Sequence, residues 1–175
     1  MLSSMIDFSK VKARVKEITQ GNKVGVIGEN TKIYQDLIAE GRRLVEKAYE
    51  EKSFINRTYN LADSYGSCLF VDGKEYPNSR YYLHNLKQAR TPYKYAGEEV
   101  YGREAVARFF DNFDKAQSKG RIMLVVVAAA PYARVLEDGI SYGLRHNYKV
   151  LAGINTKLEE LKRFYGGDVR TMIGQ

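Results

Sequence analysis

Few residues in this chain are of a type and spacing that does chemistry. Its two histidines, His84 and His146, are far apart in sequence. Neither has a second ligand at i+3 or i+4 and neither adjoins a cysteine, so the spacing of a zinc site is missing. Cys68 is the only cysteine. No disulfide can close within the chain, which fits folding in a reducing cytoplasm. A catalytic dyad would need Cys68 to meet a distant histidine. A single cysteine in an apolar run is better read as a small packed hydrophobe. Gly25-Val26-Ile27-Gly28 has the glycines of a phosphate loop but lacks the Lys-Ser/Thr end of a Walker motif. The pairs Glu98-Glu99 and Glu137-Asp138 are adjacent in sequence. Adjacent side chains do not face each other on a helix, and neither pair has a third carboxylate, so both read as solvated acids. No catalytic residue, metal or cofactor is expected.

The elements around these residues read as an α+β domain. Residues 1–29 read as an N-terminal helical arm and linker, with Val11, Val15 and Ile18 on one helical face among lysines and arginine. A helix follows to about Ser53, capped by Asn30 or Thr31, with Ile33, Leu37, Leu44, Val45 and Ala48 at helical spacing. YGSCLFV, ending at Val71, is a strand, and Asp72-Gly73 a tight hairpin turn. Residues 74–97 hold Pro77, Pro92, five tyrosines, and five basic residues against Glu75. They read as a long inserted loop that serves assembly more than folding. A helix over about Arg103–Ser118 buries Val106, Phe109, Phe110 and Phe113. Ile122–Val127 is a central strand. Pro131 opens a short turn that presents Tyr132, Val135 and Leu136 and stops at Gly139, read as a left-handed residue. A last helix begins near Thr156, with Glu159 completing a capping box, and closes at Gly166-Gly167. The expected architecture over 30–175 is one domain, a small antiparallel sheet packed against helices.

Composition narrows the function classes. The chain has 175 residues, 44% of them hydrophobic, enough for a real core and too many for a disordered chain. No apolar run approaches the roughly 20 residues of a membrane span, and MLSSMIDFSK does not read as a secretory signal. The net charge of +7 suits nucleic acid or an acidic protein surface. Fourteen tyrosines and no tryptophan suit contact surfaces, since tyrosine joins a rigid apolar ring to a polar tip.

Two stretches carry a resemblance. Arg57-Thr58-Tyr59-Asn60-Leu61-Ala62-Asp63-Ser64-Tyr65 resembles the R-T-G-x-L-x-x-S-I segment of the tail-completion, or neck, protein family of tailed bacteriophages. Ala130-Pro131-Tyr132-Ala133-Arg134-Val135-Leu136-Glu137-Asp138-Gly139 resembles that family's P-Y-A-x-x-x-E-x-G segment. Both stand in the family's order: helix, first motif, sheet, second motif, helix. Tyr59 occupies the place of the family's glycine, and Asp138 that of an aromatic residue. The resemblance implies structural roles for Arg57, Thr58, Leu61, Ser64, Tyr132, Ala133, Glu137 and Gly139. It implies a homo-oligomeric ring in the virion at the head–tail junction, joined to portal or connector and tail proteins, with DNA passing through its channel. Leu61 can anchor the start of the strand, and Asp63 and Ser64 can bond backbone nearby.

Two readings of function follow. The first is a non-enzymatic ring subunit whose contacts with neighbours or partners use Arg80, Tyr81, Tyr82, Arg90, Tyr93 and Tyr95. The second is a nucleic-acid-binding module, in which Tyr81, Tyr82, Tyr93 and Tyr95 stack bases while Arg80, Lys87, Arg90 and Lys94 meet phosphates.

Overall fold

The computed structural model describes residues 2–7, 32–54, 59–83, 92–95, 97–165 and 168–173. Along the chain come β1 (Leu2–Asp7), α1 (Lys32–Glu50), β2 (Tyr65–Val71), β3 (Lys74–Glu75), β4 (Tyr81–Tyr82), β5 (Tyr93–Tyr95), β6 (Glu98–Val100), α2 (Gly102–Asp111), β7 (Ile122–Ala128), α3 (Ala133–Glu137), α4 (Asn155–Tyr165) and β8 (Asp168–Ile173). The fold is α+β, as expected. The main sheet runs β3-β2-β7-β1-β8, with β4 also on β2, and all its pairings are antiparallel. A separate hairpin pairs β5 with β6.

The sheet is covered on both faces, which explains why β7 is apolar at every position. Tyr65, Leu69, Ile122, Leu124, Val126 and Ala128 join Leu37, Leu44 and Val45 of α1 and Leu158 and Leu161 of α4 in one core. Cys68, Phe70, Met123, Val125 and Val127 point the other way and pack with Val106 and Phe110 of α2. Strand alternation assigns consecutive residues to the two cores. Phe109 and Phe113 line the margin of the second core, and Phe113 stacks on Phe70 with ring centroids 4.6 Å apart.

The β2–β3 hairpin takes the expected form. Val71 pairs with Lys74, and the intervening Asp72 and Gly73 have φ of 50° and 79°. Positive φ at both positions is what a two-residue turn between right-twisted strands demands. Asp72 Oδ1 also accepts the Gly120 N–H at 2.8 Å, clamping the turn to the start of β7.

Several expectations are corrected. Residues 2–7 are not part of a helical arm. They form β1, which lies inside the sheet between β7 and β8, with Met5 opposite both Val125 and Arg170. Backbone pairing on both sides sets the conformation of this short segment. The proposed helical face of Val11, Val15 and Ile18, the caps Asn30 and Thr31, and the Gly25–Gly28 loop lie outside the described residues. The second helix ends at Asp111, well before Ser118. Asn112 closes it, and Asp114 accepts the Ala116 N–H to start a separate 3-10 turn over Lys115–Ser118. Thr156 is no cap either. A 3-10 turn over Ala152–Ile154 runs directly into α4 at Asn155, placing Thr156 inside the first turn.

The 74–97 segment is not simply an inserted loop. β3 and β4 both pair with β2, while Tyr76 and Ser79 are buried. The Ser79 hydroxyl donates to the Tyr76 carbonyl at 2.7 Å and accepts the Leu69 N–H at 3.2 Å, welding the bend between the two strands to the sheet. Replacing 74–97 by a short Gly/Ser link should therefore unfold the subunit rather than leave it intact. Circular dichroism and a thermal melt check this; a native-like melt would restore the inserted-loop reading.

Candidate functional site

The two motifs meet at the end of the sheet where β2 begins and β7 finishes. In the first, Arg57 and Thr58 lie outside the described residues. Tyr59 has φ of 62°. This left-handed conformation costs a non-glycine residue roughly 1–2 kcal/mol. The backbone there thus takes a shape that glycine would favour, although the residue is tyrosine. Tyr59→Gly should be neutral or stabilising by up to about 1 kcal/mol, whereas β-branched Tyr59→Val should destabilise by at least about 1 kcal/mol. Denaturant unfolding of the pair checks this. Equal losses in both would show that the tyrosine side chain matters more than φ.

Leu61 is buried, and the Ser64 hydroxyl donates to its carbonyl at 2.8 Å. The Ser64 carbonyl in turn accepts the Ala129 N–H at 2.8 Å, which joins the first motif to the residue preceding the second. In the second motif Ala133 is fully buried and its N–H donates to the Ala130 carbonyl at 2.9 Å. Tyr132 and Leu136 pack half-buried against the larger core.

Glu137 is not the solvated acid the sequence suggested. Its carboxylate accepts the backbone N–H groups of Val150 (2.6 Å), Leu151 (2.9 Å) and Ala152 (2.7 Å). These amides lead into the 3-10 turn before α4, where backbone donors lack intrahelical partners and a negative charge is favourable. Tyr65, fully buried, donates its hydroxyl to the Val150 carbonyl at 3.0 Å, so the same segment is held from two sides. Burial first, and then the charge of Glu137, push the Tyr65 phenol pKa well above its ordinary value. Asp138 is half-buried, with the Arg134 guanidinium at 3.4 Å. Of the other acidic pair, Glu98 bonds Arg108, and Glu99 is exposed opposite Lys94 in the hairpin.

Gly139 is likewise corrected. It is not left-handed; Gly143 takes that role, with φ of 79°. Gly139 is required because a Cβ there would collide with the His146 carbonyl oxygen. The chain from 139 to 149 folds back on itself at that contact. The Ile140 N–H donates to Asn147 Oδ1 at 2.8 Å, Leu144 N–H to the Gly139 carbonyl at 2.9 Å, and Tyr148 N–H to the Leu136 carbonyl at 2.8 Å. The resulting knob exposes Ile140 and Leu144. No periodic pattern in the sequence marks it; glycines flanking apolar residues are the only signal.

The proposed contact residues are placed differently from one another. Arg80 is engaged within the subunit. It makes a two-pronged bond to Glu75 at 2.6 and 2.7 Å and reaches Asp111 at 2.8 Å. Those carboxylates raise its pKa still further above its ordinary value, and its role is a clamp between β3–β4 and α2 rather than an offered cation. Tyr81 bonds Glu46 at 3.0 Å with Arg42 beside its ring, and Tyr82 packs half-buried on the second core with Arg103 5.1 Å from its ring centre. Arg90, Lys87 and His84 lie outside the described residues. Tyr93 and Tyr95 pair through their backbones with Val100 and Glu98. The tyrosine-and-base cluster is thus not one open face: its Arg80, Tyr81 and Tyr82 part is built into the fold.

Cys68 is fully buried with its sulfur 3.5 Å from the Ser79 hydroxyl, and burial pushes its thiol pKa up to about 12. Such a thiol is a poor nucleophile at neutral pH. His146 is exposed, its ring 4.3 Å from that of Tyr148. Among the described residues, no three His, Cys, Asp or Glu side chains converge as a metal site, and no helix is long and apolar enough to cross a membrane. A groove of about 460 Å³ between α1 and α4 has mixed charge, with Lys47 paired to Glu51 and Lys157 to Glu160. No family model, curated protein or solved structure matches this chain.

Proposed function

We propose that this protein is a non-enzymatic structural subunit of a tailed-phage virion, forming a ring at the neck or head–tail junction and surrounding the DNA channel. The observation that supports this best is the concerted use of the two motif stretches. They meet at one end of the sheet through the Ala129–Ser64 bond, and Glu137 anchors the segment leading into α4. Tyr59 keeps a glycine-like backbone at the position where the family has glycine. The partners in this reading are copies of the same chain, the portal or connector, and tail proteins, with assembly in the host cytoplasm.

The test is the mass of the purified protein, alone and mixed with virion components, together with its presence in particles. A closed ring and incorporation are the expected results. A monomer under both conditions that is also absent from particles would overturn the proposal. DNA titration separates it from the nucleic-acid-binding alternative. A channel must let DNA slide, so the expected affinity at physiological salt is weak and sequence-independent, on the order of 10⁻⁵ M or weaker. Sub-micromolar, sequence-selective binding by a monomer would favour the alternative.

A further inference from the structure

A subunit of a closed ring needs two different surfaces that fit each other. Among the described residues, the exposed large apolar side chains are Tyr101, Ile140 and Leu144, at 43%, 63% and 37% exposure. They fall in two places of opposite charge. Ile140 and Leu144 sit on the 139–149 knob, which carries exposed Arg145 and Lys149 and no acid. Tyr101 sits at the start of α2, where residues 98–104 present exposed Glu98, Glu99 and Glu104 against Arg103. The knob follows α3, which packs on one face of the sheet, whereas α2 covers the other.

We propose that the basic, aliphatic 139–149 knob of one copy docks on the acidic, aromatic corner at residues 98–104 of the next copy. This rests on the ring reading and names the contact that would close the ring. Both sides are pre-shaped, which lowers the ordering cost of association. The knob is cross-bonded internally by Asn147 and by the Leu144–Gly139 pair. The corner is held by Glu104, which accepts the Tyr101 N–H at 3.1 Å, and by the Glu98–Arg108 ion pair. Ile140 and Leu144 supply apolar area, and the opposite charges select a head-to-tail pairing over a like-with-like one.

The experiment is charge reversal read by sedimentation velocity on the full chain, with thermal melts confirming that each variant folds. Arg145→Glu with Lys149→Glu, and separately Glu98→Lys with Glu99→Lys, should each weaken self-association by about tenfold or more. All four changes in one chain should restore it. Ile140→Ser with Leu144→Ser should disperse the assembly with the melt little changed. A parent that assembles but ignores the reversals overturns the contact and leaves the ring reading standing. Reversals that disperse the assembly but do not rescue each other show that the two patches do not meet; this too overturns the contact and spares the ring. A parent that stays monomeric both alone and with virion components, and is absent from particles, overturns both.

Discussion

Val126→Asp is expected to leave no folded protein, and Phe110→Ala to lower the unfolding free energy by about 3–5 kcal/mol. Val126 is fully buried in the middle of β7, facing the core that α1 and α4 cover. A carboxylate there would be set among the apolar side chains of that core. Protonation would remove the charge, yet a neutral carboxyl group without a hydrogen-bond partner still costs several kcal/mol. A domain of this size is stable by only about 5–15 kcal/mol, so the deficit is decisive. Phe110 is fully buried on the opposite face, 6.4 Å from the Phe70 ring and 5.4 Å from Phe109. Its removal also takes away the surface under the Arg80 guanidinium, 5.8 Å above its centre. Soluble yield, urea unfolding and thermal melts are the readouts. Midpoints within a degree or two of the parent on heating would mean that neither side chain is core.

The second large effect is expected at Glu137. Glu137→Ala removes one carboxylate and strands three backbone donors at Val150, Leu151 and Ala152. Hydrogen bonds to a charged group contribute about 1.5–3 kcal/mol each, but these amides are only partly buried and water can replace some of the loss. A net destabilisation of about 2–4 kcal/mol is expected. Glu137→Gln should recover little. Its oxygen can still take the Val150 and Leu151 donors, but its NH₂ would then face the Ala152 N–H. Hydrogen exchange gives the sharper reading, since the amides of 150–152 should lose protection in both variants before the strands do. Unchanged exchange at those amides, with an unchanged melt, would show that the carboxylate does not hold this segment.

Much of the core was legible in the sequence because its signals are local. Leu37, Leu44, Val45 and Ala48 recur at helical spacing, and the helix they predict forms over Lys32–Glu50. Asp72-Gly73 announces the β2–β3 hairpin because few residues accept positive φ at both positions. The continuous apolar run of Ile122–Ala128 is unusual enough to mark a strand covered on both faces. Cys68 and the Val106–Phe110 stripe were readable for the same reason. Each is an apolar side chain in a periodic neighbourhood.

What the sequence could not reveal depends on partners that arrive from elsewhere in the chain. β1 and β8 are strands because each finds a neighbour, and the residues they pair lie more than a hundred positions apart in sequence. Tyr81 and Tyr82 look like an exposed aromatic pair until β4 is laid against Gly66 and Ser67. Arg80 looks like a free cation until Glu75 and Asp111 close on it from two different elements. Glu137 shows the contrast most clearly. Its sequence neighbour Asp138 suggests a solvated acidic pair, and only the return of the chain at 150–152 supplies the donors that make it an anchor. Periodicity determines which face of an element is buried. Tertiary structure decides which polar groups meet, because a hydrogen bond requires atoms within about 3 Å and no local pattern encodes that distance across the fold.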